Sequence, residues 1–148
     1  MIDFVSRLEN VRGKMLIAAA LVACLAATAL AELPPFAYKE MQAESPERLT
    51  IKIKSVKTTE RDERDRKRVD VTIDAKVTEV ARTSSRLKPG QSILIRYTRS
   101  EYKQPIAGPS EVPLLREGAT YPAFLSRTGK TGRLYAPAAG GYSFKVVD

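Results

Sequence analysis

The run Val69-Asp70-Val71-Thr72-Ile73-Asp74-Ala75-Lys76-Val77-Thr78-Glu79-Val80 decides the fold of this chain. Val69, Val71, Ile73, Ala75 and Val77 alternate strictly with Asp70, Thr72, Asp74, Lys76 and Thr78. Successive side chains of a strand point to opposite faces, so one face of this run is buried and the other meets water. At Val80 the alternation slips, which places a bulge near Glu79. A bulge lets a long strand coil and serve two sides of a closed sheet, so the pattern favours a barrel over a flat sheet.

Working outward, Leu49, Ile51 and Ile53 alternate with Thr50, Lys52 and Lys54 in a preceding strand. The two strands are separated by Glu60, Asp62, Glu63 and Asp65 threaded with Arg61, Arg64, Arg66, Lys67 and Arg68. Opposite charges this close neutralise one another, so the stretch reads as a solvated hairpin loop, with an electrostatic docking loop as the functional alternative. On the other side, Leu87-Lys88-Pro89-Gly90 is a turn: proline presets φ and glycine is free to take positive φ. Ile93, Ile95 and Tyr97 begin a third strand and complete a meander.

Residues 100–113 (SEYKQPIAGPSEVP) hold three prolines and a glycine and read as one long loop. Tyr121, Ala123 and Leu125 share a face of the next strand, and residues 128–132 form a glycine-flanked turn into Leu134-Tyr135. Tyr142, Phe144 and Val146 alternate in an expected closing strand, which brings the count to five or six. Upstream, Pro34-Pro35 is expected to prevent an early helix, while residues 38–44 form about two helical turns until Ser45-Pro46 stops them.

The first 31 residues have a different character. Met15 to Ala31 are seventeen consecutive uncharged, mostly apolar residues after Arg12-Gly13-Lys14, and they end on the small-x-small triplet Ala29-Leu30-Ala31. A basic region, an apolar region and small side chains at the cleavage position define a secretory signal, with cleavage expected before Glu32. Leu21-Val22-Ala23-Cys24 supplies an alternative, acylation at Cys24 as in a bacterial lipoprotein, although residues 25–31 stay apolar where a polar tether normally begins. An uncleaved anchor is a third reading, and seventeen residues sit at the short end of what spans a bilayer. The expected location is periplasmic or extracellular, with membrane contact only through the lipid or a retained signal.

The organisation that follows is a signal peptide (1–31), an N-terminal arm (32–47) and one β-domain (48–148). Three of the 25 Lys and Arg and two of the 17 Asp and Glu precede Glu32, which leaves residues 32–148 with a net charge of +7. A basic exported domain is drawn to anionic partners such as lipid headgroups or acidic polysaccharide. Nucleic acid is a poor natural ligand, because export removes the protein from most of it.

The long bulged strand with Glu79-Val80-Ala81, the Leu87-Lys88-Pro89-Gly90 turn, Ile93-Leu94-Ile95-Arg96-Tyr97, then Leu115-Arg116-Glu117-Gly118 before Tyr121-Pro122-Ala123-Phe124-Leu125 resemble small OB-type barrels. They are most similar to the netrin-like, or tissue-inhibitor-of-metalloproteinase-like, variant over residues 48–147. The resemblance implies an all-β, five- or six-stranded OB-like barrel with at most one short additional helix. It carries no site residue over. The inhibitors chelate metal through an N-terminal cysteine and hold their loops with disulfides, and residues 32–148 contain no cysteine.

Catalytic chemistry finds no footing. The chain has no histidine, which excludes Ser-His-Asp and Cys-His nucleophiles and His-rich zinc sites. The acidic cluster at residues 60–65 lacks the mid-loop glycine of a calcium site. Ser100-Glu101-Tyr102-Lys103 and Lys130-Thr131-Gly132 look like two boxes of penicillin-recognising enzymes, but Gln104-Pro105 forbids the helix that holds such a serine and the middle box is missing. Gly129-Lys130-Thr131 lacks the earlier glycine of a phosphate loop, since Phe124 stands there. No catalytic, cofactor or metal residue is therefore assigned.

The candidate binding surface is basic and aromatic: Lys52, Lys54 and Lys57 on the first strand, Arg64, Arg66, Lys67 and Arg68 on its hairpin, and Arg96 and Arg99 on the third strand. Tyr97, Tyr102, Tyr121, Tyr135 and Tyr142 are available for stacking, or else belong to the core and the barrel rim. The expected role is a non-enzymatic binding module of the bacterial envelope for anionic polymer or lipid. The alternative is an assembly component that contacts another envelope protein through the long loop.

Overall fold

The computed structural model describes residues 32–130 and 132–148. The expected signal segment, residues 1–31, and with it Cys24, lies outside the described residues. One helix, α1 (Pro35–Glu44), precedes five strands: β1 (Glu47–Asp62), β2 (Arg66–Thr83), β3 (Ser92–Tyr102), β4 (Thr120–Arg127) and β5 (Leu134–Pro137). They form one sheet that closes in a ring in the order β1-β2-β3-β5-β4, with β4 returning to β1. Every pairing is antiparallel except β3 with β5, which run parallel at Leu94↔Leu134 and Ile95↔Tyr135.

The alternation of β2 is the alternation of the core. Val69, Val71, Ile73, Ala75 and Val77 are all buried, as are Leu49, Ile51 and Ile53 of β1, Ile93 and Ile95 of β3, Ala123 and Leu125 of β4 and Tyr135 of β5. Each fully buried Ile or Leu contributes about 1.5–3 kcal/mol relative to exposure, and this interior has no disulfide to assist it. The slip at Val80 is a double irregularity. Ile51 pairs with Val77 and Thr50 with Glu79, leaving Thr78 as an extra residue, and Ala81 is passed over in the same way between Val80 and Arg82. A third shift on β1, between Ile53 and Ser55, leaves Lys54 without a partner. These bulges bend the two longest strands where the ring must turn.

Four local expectations are corrected. Residues 60–68 are mostly strand, because β1 and β2 stay paired to Asp62↔Lys67 and only 63–65 form the turn, closed by the Glu63 N–H donating to the Arg66 carbonyl at 2.8 Å. Residues 100–102 are strand as well, since Ser100, Glu101 and Tyr102 pair with Arg68, Lys67 and Arg66. Pro35 opens α1 instead of preventing it: the first turn of a helix needs no N–H there, so proline is tolerated. The expected closing strand at residues 142–147 is absent. A 3-10 turn (Gly140–Tyr142) takes its place, and Gly140 enters it at a φ of +50°.

That turn has specific causes. Ser143 donates its N–H and its hydroxyl to the Gly140 carbonyl, while its Oγ accepts the Ala139 N–H. Gln42 of α1 then takes the backbone groups a strand would have used: its Nε2 donates to the Tyr142 and Lys145 carbonyls, at 2.7 and 2.6 Å, and its Oε1 accepts the Val147 N–H. Tyr38 stacks on Tyr142 with ring centroids 4.2 Å apart. Gly141 admits the long loop: a Cβ there would stand 2.5 Å from the Ser110 carbonyl oxygen. The turn expected over residues 87–90 forms one residue further on, over Lys88–Gln91, with Gly90 at a φ of +92° and the Gln91 N–H on the Lys88 carbonyl.

Candidate cationic binding face

The same alternation that buries Ile73 sends Thr72, Asp74 and Lys76 outward, and the ladders extend these positions into rows across three strands. Lys52, Lys76 and Ser92 form one row, Ser55, Asp74 and Leu94 the next, and Lys57, Thr72 and Arg96 a third. Lys54, the extra residue of the β1 bulge, reaches across β2 and donates from Nζ to Ser92 Oγ at 2.6 Å. Lys52, Lys54, Lys57, Lys76 and Arg96 are all exposed. Among the described residues none of the five has a carboxylate within ion-pair distance.

The hairpin is electrostatically different. Arg66 Nε stands 2.6 Å from Glu63 Oε2, and the carboxylate strengthens the guanidinium's hold on its proton. Lys67 Nζ is 3.1 Å from Glu60 Oε2, which raises the ammonium's pKa chiefly through that hydrogen bond. Asp70 is bracketed by Arg61 at 3.1 Å and Arg68 at 3.8 Å. Its carboxyl titrates below its usual range, first because Thr98 Oγ1 donates to it at 2.7 Å and then because of the two arginines. Arg64 stands in the turn beside Asp65, Lys103, Gln104 and Ile106, where a groove of about 440 Å³ opens.

The residues singled out from sequence thus divide. Lys52, Lys54 and Arg96 come together on the outer face. Arg66 and Arg68 lie further along β2, where Arg66 pairs with Glu63 and Arg68 shares Asp70 with Arg61. Lys67 and Arg99 follow the parity of Val69 and Ile95, so they sit on the opposite side of the sheet, where Arg99 Nη2 is 3.8 Å from Glu101 Oε1. Lys76 and Arg133 complete the face. Lys76 was legible in the alternation; Arg133 was not, because the parallel β3–β5 pairing that brings it beside β3 leaves no local pattern. Its carbonyl accepts the Leu94 N–H at 2.9 Å.

Where β3 meets β5 the face dips into a groove of about 490 Å³ lined by Asp74, Ser92, Leu94, Arg96, Arg133 and Leu134. The tyrosines serve elsewhere. Tyr135 is buried in the core, and Tyr97 packs partly buried against it, donating from Oη to the Pro113 carbonyl at 2.7 Å. Removal from water pushes the Tyr97 phenol up to about 12. Tyr121 accepts the Arg116 N–H, Tyr142 lies between Tyr38 and the Lys145 ammonium, and Tyr102 meets Arg66.

One buried acidic side chain has no signature in the sequence pattern. Glu47 is fully buried, with Oε1 accepting from the Ser85 N–H and hydroxyl and Oε2 without a partner. Its position after Ser45-Pro46 read only as a helix stop. Among the described residues no cluster of three potential metal ligands occurs, and no helix is long and apolar enough to cross a membrane. Comparison with protein-family models, curated proteins and solved structures gave no match to this chain.

Proposed function

We propose that this chain is an exported, non-enzymatic binding module on an OB-type barrel, and that the outer face of β1, β2 and β3 holds anionic material of the bacterial envelope. The ring order β1-β2-β3-β5-β4, with β3 parallel to β5, supports the OB-type reading. Such barrels host many unrelated binding roles, so the role rests on the surface and not on the fold. The observation that carries it is the set of five exposed cations on one face with no ion-pair partner among the described residues, beside a hairpin in which Arg61, Arg66, Lys67 and Arg68 are ion-paired. Unpaired cations on neighbouring strands repel one another unless an anion lies over them, so the apo face is poised for one.

Co-sedimentation with anionic vesicles and retention on acidic polysaccharide test the reading. Screening shortens the reach of surface charge from about 10 Å at 0.1 M salt to about 3 Å at 1 M. Retention at the lower salt that is lost at the higher supports the face. Retention that ignores salt, or none at either salt, contradicts it.

A second reading has its own observation. Ile106 and Leu114 on the segment between β3 and β4 are 58% and 48% exposed, which suits contact with another envelope protein. A specific protein that co-purifies with the wild type and is lost on Ile106→Ser and Leu114→Ser favours this assembly role.

A further inference from the structure

A face built only to hold a polyanion has no use for exposed apolar side chains, and this one carries a leucine on β3 with a second beside it on β5. Leu94 is 41% exposed, with Asp74 opposite it on β2 and Leu134 opposite it on β5. Both leucines line the groove of about 490 Å³, together with Arg96, Arg133 and the single carboxylate of Asp74. Neither arginine has an ion-pair partner among the described residues. Ser92, also on the lining, is already engaged by Lys54.

We infer that this groove binds an anionic lipid, with its phosphate on Arg96 and Arg133 and the first methylenes of its acyl chain on Leu94 and Leu134. The inference rests on the cationic-face reading and names its ligand class. A sugar acid or a free phosphate satisfies the guanidiniums and leaves the leucines wet, whereas an amphiphile satisfies both. Planar guanidinium groups suit phosphate oxygens, because their paired N–H donors match two oxygens at once. Each methylene moved from water onto the leucines tightens binding roughly fourfold. The Asp74 carboxylate adds an acceptor for a headgroup hydroxyl and repels a second phosphate group, which suits a head with one phosphate better than a dense polyanion.

Calorimetric titration of the purified protein with monomeric alkyl phosphates, held below their micellar concentrations, tests this. Methyl, butyl and octyl phosphate form the series, and dextran sulfate serves as the polyanion control. The expected result is affinity that climbs with chain length, octyl exceeding methyl phosphate by more than about tenfold. The climb disappears in Leu94→Asn while dextran sulfate binding is kept. Leu94→Thr, a strand-compatible replacement, guards against a folding artefact, and far-UV circular dichroism checks both variants. Equal affinity for methyl and octyl phosphate, with dextran sulfate still bound, overturns the lipid inference and leaves the cationic face standing. Failure of all the phosphates and of dextran sulfate overturns both.

Discussion

Thr72 and Ile73 are neighbours in the chain and opposites in the fold, which makes them the sharpest test of register. Ile73→Asp places an unpaired carboxylate in an interior with no exposed surface at that position, and it is expected to cost at least about 4 kcal/mol and unfold the protein. Thr72→Asp lies outside and is expected to leave the thermal midpoint within a few degrees, while weakening anion binding through its place between Lys57 and Arg96. Equal midpoints for the two variants contradict the assignment of faces. Tyr97 gives a pH test. Its phenol is held neutral up to about 12 by burial, against an ordinary value of 10.0. The folded state therefore prefers the protonated phenol, so this contribution is complete below pH 10 and is lost as pH rises toward 12. Tyr97→Phe is expected to lessen the loss of stability over that window, measured by denaturant titration at pH 9.5 and 11.5. An unchanged slope shows that Tyr97 does not carry it.

At the scale of elements, period-two patterns were legible and partnerships were not. Val69 to Val77 announced the central strand because each residue's burial is decided by its own alternation, and the Pro89-Gly90 turn because its two residues have few other uses. The charged stretch 60–68 read as loop because opposite charges conceal the strand, and only cross-strand pairing of β1 with β2 reveals it. Residues 142–147 alternate like a strand but lose their backbone groups to Gln42, about a hundred positions earlier. No window of sequence contains both partners. Gln42→Ala is accordingly expected to destabilise the protein by about 1–3 kcal/mol, read by chemical denaturation, because two carbonyls and an N–H lose their partner in a largely buried site. A smaller effect than Lys39→Ala on the exposed side of α1 contradicts the docking role given to Gln42.

For the whole molecule, the candidate site followed from the sequence only in part. Lys52, Lys54 and Arg96 were legible as outward residues, yet their separation from Lys67 and Arg99 depends on strand parity, and the addition of Arg133 depends on ring closure through β5. The location of the protein rests on residues 1–31, and intact-mass analysis of the exported species tests it: a mature chain beginning at Glu32 is expected, and an acylated N-terminal Cys24 contradicts cleavage there. The central claim is that the unpaired face, and not the paired hairpin, attracts the anion. Its most direct test is retention on anionic vesicles at 0.1 M salt for two charge-reversed forms of the protein, each checked for an unchanged thermal midpoint. Lys52→Glu with Lys76→Glu and Arg96→Glu is expected to weaken binding by roughly 100-fold, at about 1 kcal/mol for each cation near the surface. Arg66→Glu with Lys67→Glu is expected to change it far less, and the reverse order of the two effects would contradict the account.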